Sequence, residues 1–330
     1  MKVLRLHRAG DLRLHEEPEP RAADGEVLVH VSAVGLCGSD RHWFVEAGIG
    51  DAVLDRPLVL GHEFAGVIAS GPRAGERVVL DPAVPCRRCD VCLAGLPHLC
   101  PSGRFAGHGS TDGALRTSLA WPEDLAHRLP DRIPDTEAAL LEPLGVALHS
   151  LDLGHVRRGT RTGVFGCGPI GLLLVQAIGA AGGETVVATD PLPHRRTAAL
   201  TAGAAEAVDP GELPGGGLGL DVAFETAGAD GALADAIEAV RPGGRVVLVG
   251  VPDDDRTSFV ASAARRKGLT LLVCRRMEPA DLPRAIGLAE SGGVDLGSLV
   301  GERHALDDWR DAFAALVERR TLKVVVEPGR

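Results

Sequence analysis

Tyrosine is missing altogether, and aromatic residues make up only 3% of the 330-residue chain. A surface that stacks bases or sugar rings needs exposed aromatic faces, so that mode of binding is excluded. Lysine is nearly missing too: Lys2, Lys267 and Lys323 are the only three among 35 basic residues. Acidic residues number 45, giving a formal net charge of −10. Binding to nucleic acid rests on counterion release by clustered cations, and this balance argues against it. No run of about 18 uninterrupted apolar residues occurs, so no membrane span is expected. The opening MKVLRLHRAGDLRLHEE has no continuous apolar stretch. It reads as a pair of strands rather than an export signal, and a cytoplasmic protein is expected.

What is present is globular: 45% hydrophobic and 24% charged residues. The length suits two domains, each with its own core. Seven cysteines, an odd number, occur without an export signal. In a reducing compartment, clustered cysteines hold metal more often than they form disulfides. The first 140 residues read as β-rich, with stretches such as Glu26–Val34, Glu63–Ser70 and Glu76–Leu80 punctuated by Gly, Pro and Asp. From about Leu144 strands alternate with helices. Thr162–Phe165, Thr185–Thr189, Asp221–Phe224, Arg245–Val249 and Leu269–Val273 read as strands. Ile170–Ala181, His194–Ala202 and Leu233–Val240 read as helices. That alternation predicts βαβ units and a parallel sheet, an α/β fold. Two further helices are expected at Leu282–Glu290 and Leu306–Arg319, then a last strand at Leu322–Val326. The composition of Pro210–Leu220 (PGELPGGGLGL) predicts a flexible surface loop.

Strand Gly163–Phe165 leads into Gly166-Cys167-Gly168-Pro169-Ile170-Gly171 and an apolar helix. This is G-x-G-x-x-G in the strand–turn–helix context that a dinucleotide requires. The first glycine permits the tight turn, and the second lets the backbone approach a pyrophosphate. The third lets helix pack on strand, and the helix N-terminus faces the phosphates. Pro169 suits the first turn, where its missing N–H costs nothing. Asp190 ends the next strand, 19 residues after Gly171. It is placed to bind the ribose 2′-hydroxyl and to repel a 2′-phosphate, which favours NAD. Arg195 or Arg196 is available for the adenine or a phosphate, while Arg196 also reads as a solvated helix face. Cys167 reads as a small apolar filler.

Cys86, Cys89, Cys92 and Cys100 are spaced C-x2-C-x2-C-x7-C. Four thiolates on one tight loop close a tetrahedral zinc shell with no open position, a structural site. A second set of ligands is scattered. Cys37 lies in VGLCGSDRH, His62 and Glu63 lie in VLGHEFAGV, and Glu142 lies far downstream. Pro143 should force Glu142 out of helical geometry and onto a bend. Thiolate, imidazole and carboxylate from separate segments, with exchangeable water, make a catalytic shell. Asp40 is a candidate acceptor for the free ring nitrogen of His62. On spacing alone, Cys37 and His62 read more readily as core residues than as ligands.

In order along the chain, VGLCGSDRH, GHEFAGV, the cysteine lobe, LLEPLGVALH and GVFGCGPIG resemble the zinc-dependent medium-chain dehydrogenases/reductases. The likeness spans Val3 to Val326 and is nearest to the polyol (sorbitol-type) dehydrogenases. It implies a GroES-like catalytic domain at 1–145 and 276–330, carrying the zinc lobe at 85–101. A Rossmann NAD-binding domain at 146–275 interrupts it. It further implies two zinc ions per chain. The catalytic one is held by Cys37, His62 and a glutamate, with Glu63 the constant ligand and Glu142 binding directly or through water. Val273 and Arg275 join Gly166, Gly168, Pro169, Ile170, Gly171, Asp190 and Arg195 in the cofactor set. The segments Asp209–Asp221 and Cys274–Leu282 depart from the family pattern, with Arg275 the clear match in the latter.

An ion at the second site would bring the pKa of an alcohol towards neutrality, and the nicotinamide would receive the hydride. Ser39 would accept the proton and His42 pass it on; His42 also reads as a solvent-facing loop histidine. Ser39, Glu142 and Arg275 would bind extra hydroxyls, while Trp43, Phe44 and Phe105 would form an apolar wall. The expected substrate is therefore a polyol or cyclitol. Threonine, amino-alcohol and aminocyclitol dehydrogenases are the nearest alternatives, and a non-catalytic nucleotide- and zinc-binding protein is the alternative of another class. The resemblance also implies a homodimer or homotetramer joined along the strands Arg245–Val249 and Leu269–Val273.

Overall fold

A computed structural model describes residues 1–213 and 217–330 of the chain. The middle of the Pro210–Leu220 loop therefore lies outside the described residues. The chain divides into two compact units. One comprises Met1–Glu142, Glu278–Glu290 and Leu296–Arg330; the other comprises Pro143–Met277 and Ser291–Asp295.

The first unit is built on a seven-stranded sheet. Its path runs Ala126–Arg128, Arg77–Leu80, Glu63–Ile68, Glu26–Gly35, Lys323–Glu327 and Val300–Ala305, with Ser118–Pro122 also pairing Glu26–Gly35. The long strand Glu26–Gly35 (EVLVHVSAVG) alternates as a one-sided sheet demands, with Val27, Val29, Val31 and Ala33 buried. Two antiparallel partners matter for the site. Gly35 stands opposite Glu63, and Val325 stands opposite Gly35. The last strand of the chain therefore lies beside the first long one. Phe64, Trp43, Trp121 and Phe313 anchor the core of this unit.

The second unit is a six-stranded, all-parallel sheet. Its spatial order is Ala207–Val208, Glu184–Thr189, Arg161–Phe165, Leu220–Glu225, Val240–Leu248 and Thr270–Val273. In chain order this is third, second, first, fourth, fifth, sixth. The order reverses between Arg161–Phe165 and Leu220–Glu225, and ligands of such sheets bind beyond the carboxyl ends at that switch point. Its helices include most of Leu141–Gly154, then Pro169–Ala180, Pro193–Ala202, Asp230–Ala239 and Ala261–Lys267. Helix Pro169–Ala180 is apolar nearly all round and buries Gly171 to Val175, Ala177 and Ile178. Lys267 ends helix Asp230–Ala239 by donating to the carbonyls of Ile237 (3.0 Å) and Val240 (3.1 Å).

Two local expectations are corrected. The segment Leu306–Arg319 is not one helix: a short 3-10 turn at Leu306–Asp308 precedes helix Trp309–Glu318. Glu142 does not sit on a bend but in the first turn of helix Leu141–Gly154. A proline there lacks only an N–H that has no intrahelical partner, so the helix starts in spite of the steric bias on the preceding residue.

Candidate active site

The carboxyl end of strand Glu26–Gly35 leads through Leu36 to Cys37, which precedes helix Gly38–Glu46. Asp40, in the first turn of that helix, is fully buried. One of its oxygens accepts from the Cys37 backbone N–H at 2.9 Å and the other from the Gly61 N–H at 3.1 Å. A single carboxylate thus ties together the two segments that carry Cys37 and His62. The same Asp40 oxygen lies 3.8 Å from His62 Nδ1, ion-pair range rather than a hydrogen bond. Ser39 Oγ lies 3.4 Å from the other ring nitrogen, Nε2.

Cys37 Sγ, a His62 ring nitrogen and a Glu63 carboxylate oxygen all lie within 4.8 Å of one another. Donors about 2.0–2.3 Å from a shared zinc must stand that close, and sulfur, imidazole and carboxylate are its accepted donors. The residues therefore fit the ion. Glu142, 5% exposed, stands outside this trio but within electrostatic reach of His62 and Glu63. Burial pushes its carboxyl upward, with the Glu63 charge adding and His62 opposing. Burial alone would lower His62, yet Asp40 and Cys37 overcome it and raise the imidazole.

Lys323, which the sequence reading did not single out, is the missing member. Its ammonium forms an ion pair with Glu63 Oε2, and both side chains are 1% exposed. Burial acts to lower Lys323, but Glu63 and Cys37 outweigh it and raise it. Gly35 makes the approach possible: a Cβ there would collide with Glu63 Oε2 and stand 2.9 Å from Lys323 Cε.

Around this cluster, Phe105 packs on His62 (ring centroids 5.4 Å), and His108 stands edge-on to both Phe105 (6.5 Å) and Trp43 (5.5 Å). Trp43 is 1% exposed and belongs to the core. Phe44 packs on Phe313 at 5.0 Å. His42 is not a solvent-facing loop residue: it is buried on helix Gly38–Glu46, with Nδ1 3.3 Å from Glu46 Oε1.

The cysteine lobe is a separate feature of the same unit. Cys86 Sγ lies 4.0 Å from Cys92 Sγ, and Cys89 Sγ lies 3.8 Å from Cys100 Sγ. A tetrahedron with zinc–sulfur bonds of about 2.3 Å has edges of roughly 3.8 Å, so the four thiols are spaced for zinc. All four are free. Backbone N–H groups of Arg88 and Cys89 hold the Cys86 thiol down to about 6.

In the second unit, Gly166 takes φ 112°, and a Cβ on it would press against Ala227 N at 2.8 Å. Gly168 precedes helix Pro169–Ala180, with Pro169 in its first turn. A Cβ on Gly171 would collide with the Gly166 carbonyl. Asp190 is 3% exposed; one oxygen accepts from Cys167 N and the other from Leu192 N, each at 2.9 Å. A carboxylate has about four acceptor sites, so capacity for a ribose hydroxyl is left over. Arg195 Nη1 lies 3.6 Å from Asp190. Arg196 is not a solvated face: its Nη1 donates to the carbonyls of Asp190 (2.8 Å) and Pro191 (3.0 Å) and to Asp209 (3.1 Å). Ile170 is half-buried, while Val273 (79%) and Arg275 are exposed. Among the described residues no helix is long and apolar enough to cross a membrane.

Residues 23–131 match the alcohol dehydrogenase GroES-like domain, and residues 169–291 match the zinc-binding dehydrogenase domain. The chain is 33% identical to sorbitol dehydrogenase of Bacillus subtilis, over 100% of this chain and 98% of that one. A zinc-binding dehydrogenase of Sinorhizobium meliloti, solved with NADP, superposes with TM-score 0.90 and 28% identity over 99% of both chains. A short chain alcohol dehydrogenase of Escherichia coli, solved with NADH, does so with TM-score 0.90 and 26% identity over 99% of both. The fold and the donor sets are those of a zinc- and nicotinamide-dependent oxidoreductase. The chain belongs to the zinc-dependent medium-chain dehydrogenase/reductase family, on the polyol dehydrogenase side of it.

Proposed function

We propose that the protein interconverts a secondary alcohol of a polyol or cyclitol and the corresponding ketone, using NAD. One observation carries the substrate reading. Buried Glu142 lies within electrostatic reach of the metal-fitting cluster, whose own Glu63 is a donor already paired with Lys323. A pocket lined with such groups binds weakly any substrate that leaves them unpaired, which disfavours a simple alkanol. The identity to sorbitol dehydrogenase supports the same class.

When bound, zinc supplies Lewis-acid polarisation of the substrate oxygen, and NAD supplies the hydride acceptor. The protein's residues do the rest. Cys37, His62 and Glu63 hold the ion, and Asp40 fixes the two backbone segments that present them. Ser39 takes the hydroxyl proton beside His62. His42, three residues on and so on the same helix face, receives it, and Glu46 leads it outward. Phe105 and His108 would offer a substrate an aromatic wall beside His62. In the second unit, the glycine loop takes the pyrophosphate and Asp190 the ribose. Asp190 repels a 2′-phosphate, and Arg196 is already held by two carbonyls and Asp209, so NAD is preferred here. The exposed edge strand Thr270–Val273 supports assembly into a homodimer or homotetramer. The free cysteines suit the cytoplasm.

The test is NADH absorbance with ethanol, sorbitol, xylitol, an inositol and L-threonine, each with NAD and with NADP. A polyol or cyclitol with NAD should give the highest kcat/KM. Faster turnover of ethanol or threonine would overturn the substrate reading.

A further inference from the structure

At the switch point of the parallel sheet, Phe165 and Glu225 stand side by side as the last residues of neighbouring strands. The first leads into the glycine loop, the second into Thr226–Ala229. Glu225 is 3% exposed, a carboxylate in the interior. Its Oε1 accepts from a set of backbone N–H groups: Ala227 at 2.8 Å, Gly228 at 2.8 Å and Ala229 at 3.4 Å. Its own carbonyl accepts from Val249 N (2.8 Å) and Gly250 N (3.0 Å), on the loop after the next strand. Thr226, held by this arrangement, donates its hydroxyl to the Gly166 carbonyl at 2.6 Å.

Three loop ends are thereby stitched together at close quarters. A Cβ on Gly228 would collide with the Val251 carbonyl. One on Gly250 would collide with Gly228 N and stand 2.9 Å from Glu225 Oε2. Burial raises the Glu225 carboxyl, and the backbone donors work against that rise. A buried carboxylate whose donors all come from the loop backbone is an expensive device for mere packing, since an apolar side chain would fill the volume without desolvating a charge.

We infer that Glu225 is a positioning residue for the dinucleotide: it sets the Thr226–Ala229 loop so that Thr226 holds the Gly166 turn in its cofactor-binding shape. This rests on the reading of Gly166–Gly171 as the pyrophosphate loop. Glu225→Gln keeps the shape and an oxygen for the three N–H groups at Oε1, but takes away the negative charge that they face. Thr226→Val deletes the hydroxyl links to the Gly166 carbonyl (2.6 Å) and, more weakly, the Phe165 carbonyl (3.3 Å), both at the start of the glycine loop, and Thr226→Ser restores them.

The experiment is a fluorescence titration of the zinc-loaded protein with NADH, alongside zinc content and KM values for NAD and for sorbitol. Glu225→Gln and Thr226→Val should each raise the NADH Kd and the NAD KM roughly ten-fold, the scale of one hydrogen bond to a charged or strained group. Zinc content and the sorbitol KM should stay within about two-fold, and Thr226→Ser should recover most of the NADH affinity. A merely structural role would move both KM values together or neither. If Glu225→Gln fails to fold, the threonine pair alone decides. Thr226→Val with parental NADH affinity would overturn the inference while leaving the dinucleotide reading intact. Failure of the parent protein to bind NADH would overturn that reading instead.

Discussion

Replacing Lys323 by methionine keeps the length of the side chain and removes its charge. The ammonium and the Glu63 carboxylate are each 1% exposed, so Glu63 would be left charged, buried and without its cation. Breaking one side of a buried ion pair costs about 3–5 kcal/mol. For units of this size 1 kcal/mol shifts the thermal midpoint by about 2–4 °C, so the first unit should melt roughly 6–20 °C lower. Zinc at the Cys37–His62–Glu63 cluster would supply a replacement positive charge. The loss should therefore be larger after dialysis against a chelator than in the zinc-loaded protein. Removing both charges, with Lys323→Met and Glu63→Gln together, should regain most of the stability of the stripped protein. Differential scanning calorimetry of the single and double variants, each with and without zinc, measures all four values. The reasoning fails if the stripped single variant melts within about 2 °C of the parent, or if the double variant melts no higher than the single.

Cys37→Ser should lower zinc content from two ions to one per chain and abolish activity, whereas Cys89→Ser should remove the other ion and lower the melting temperature; elemental analysis with calorimetry separates them. Gly171→Ala should weaken NADH binding at least ten-fold with zinc content unchanged, because the added methyl collides with the Gly166 carbonyl; a fluorescence titration reads it. Asp221 is held below the usual carboxylate range by the Arg161 backbone N–H and the Arg241 guanidinium, and Glu17 by Arg5. A depressed acid stabilises fully above its unfolded pKa of about 4 and loses that contribution as pH falls through its folded value. The share of the urea midpoint that these two acids supply should thus hold steady from pH 8 to 5 and drop below 4. Asp221→Asn should lower the midpoint at pH 7 and converge with the parent in acid.

The sequence carried the parts of the site that depend on local spacing. The glycine loop, Asp190 and the four-cysteine lobe each lie within one short segment, where residue type and interval dictate the chemistry. Cys37 and His62 were legible as a pair only through the likeness of whole motifs. Lys323 was not legible at all. It begins a strand of valines, LKVVVE, and its partner Glu63 is 260 residues away. Only the pairing of that strand beside Glu26–Gly35 brings the two charges together. The bend at Glu142 and the loop alternative for His42 gave way for a related reason. Local rules for a pre-proline residue and for a polar loop gave way to helices that tertiary burial supports. Arg196 looked exposed because its acceptors, two backbone carbonyls and Asp209, cannot be seen in a helical pattern.

The closing strand also sets a condition on biosynthesis. While the polypeptide is still emerging, Glu63 waits for the cation that neutralises it, which arrives only when position 323 has been made. Nascent or prematurely stopped products are thereby left with a frustrated interior, and quality-control proteases would meet them as loosened substrates. Appended sequences belong after Glu327, where they leave that final pairing undisturbed.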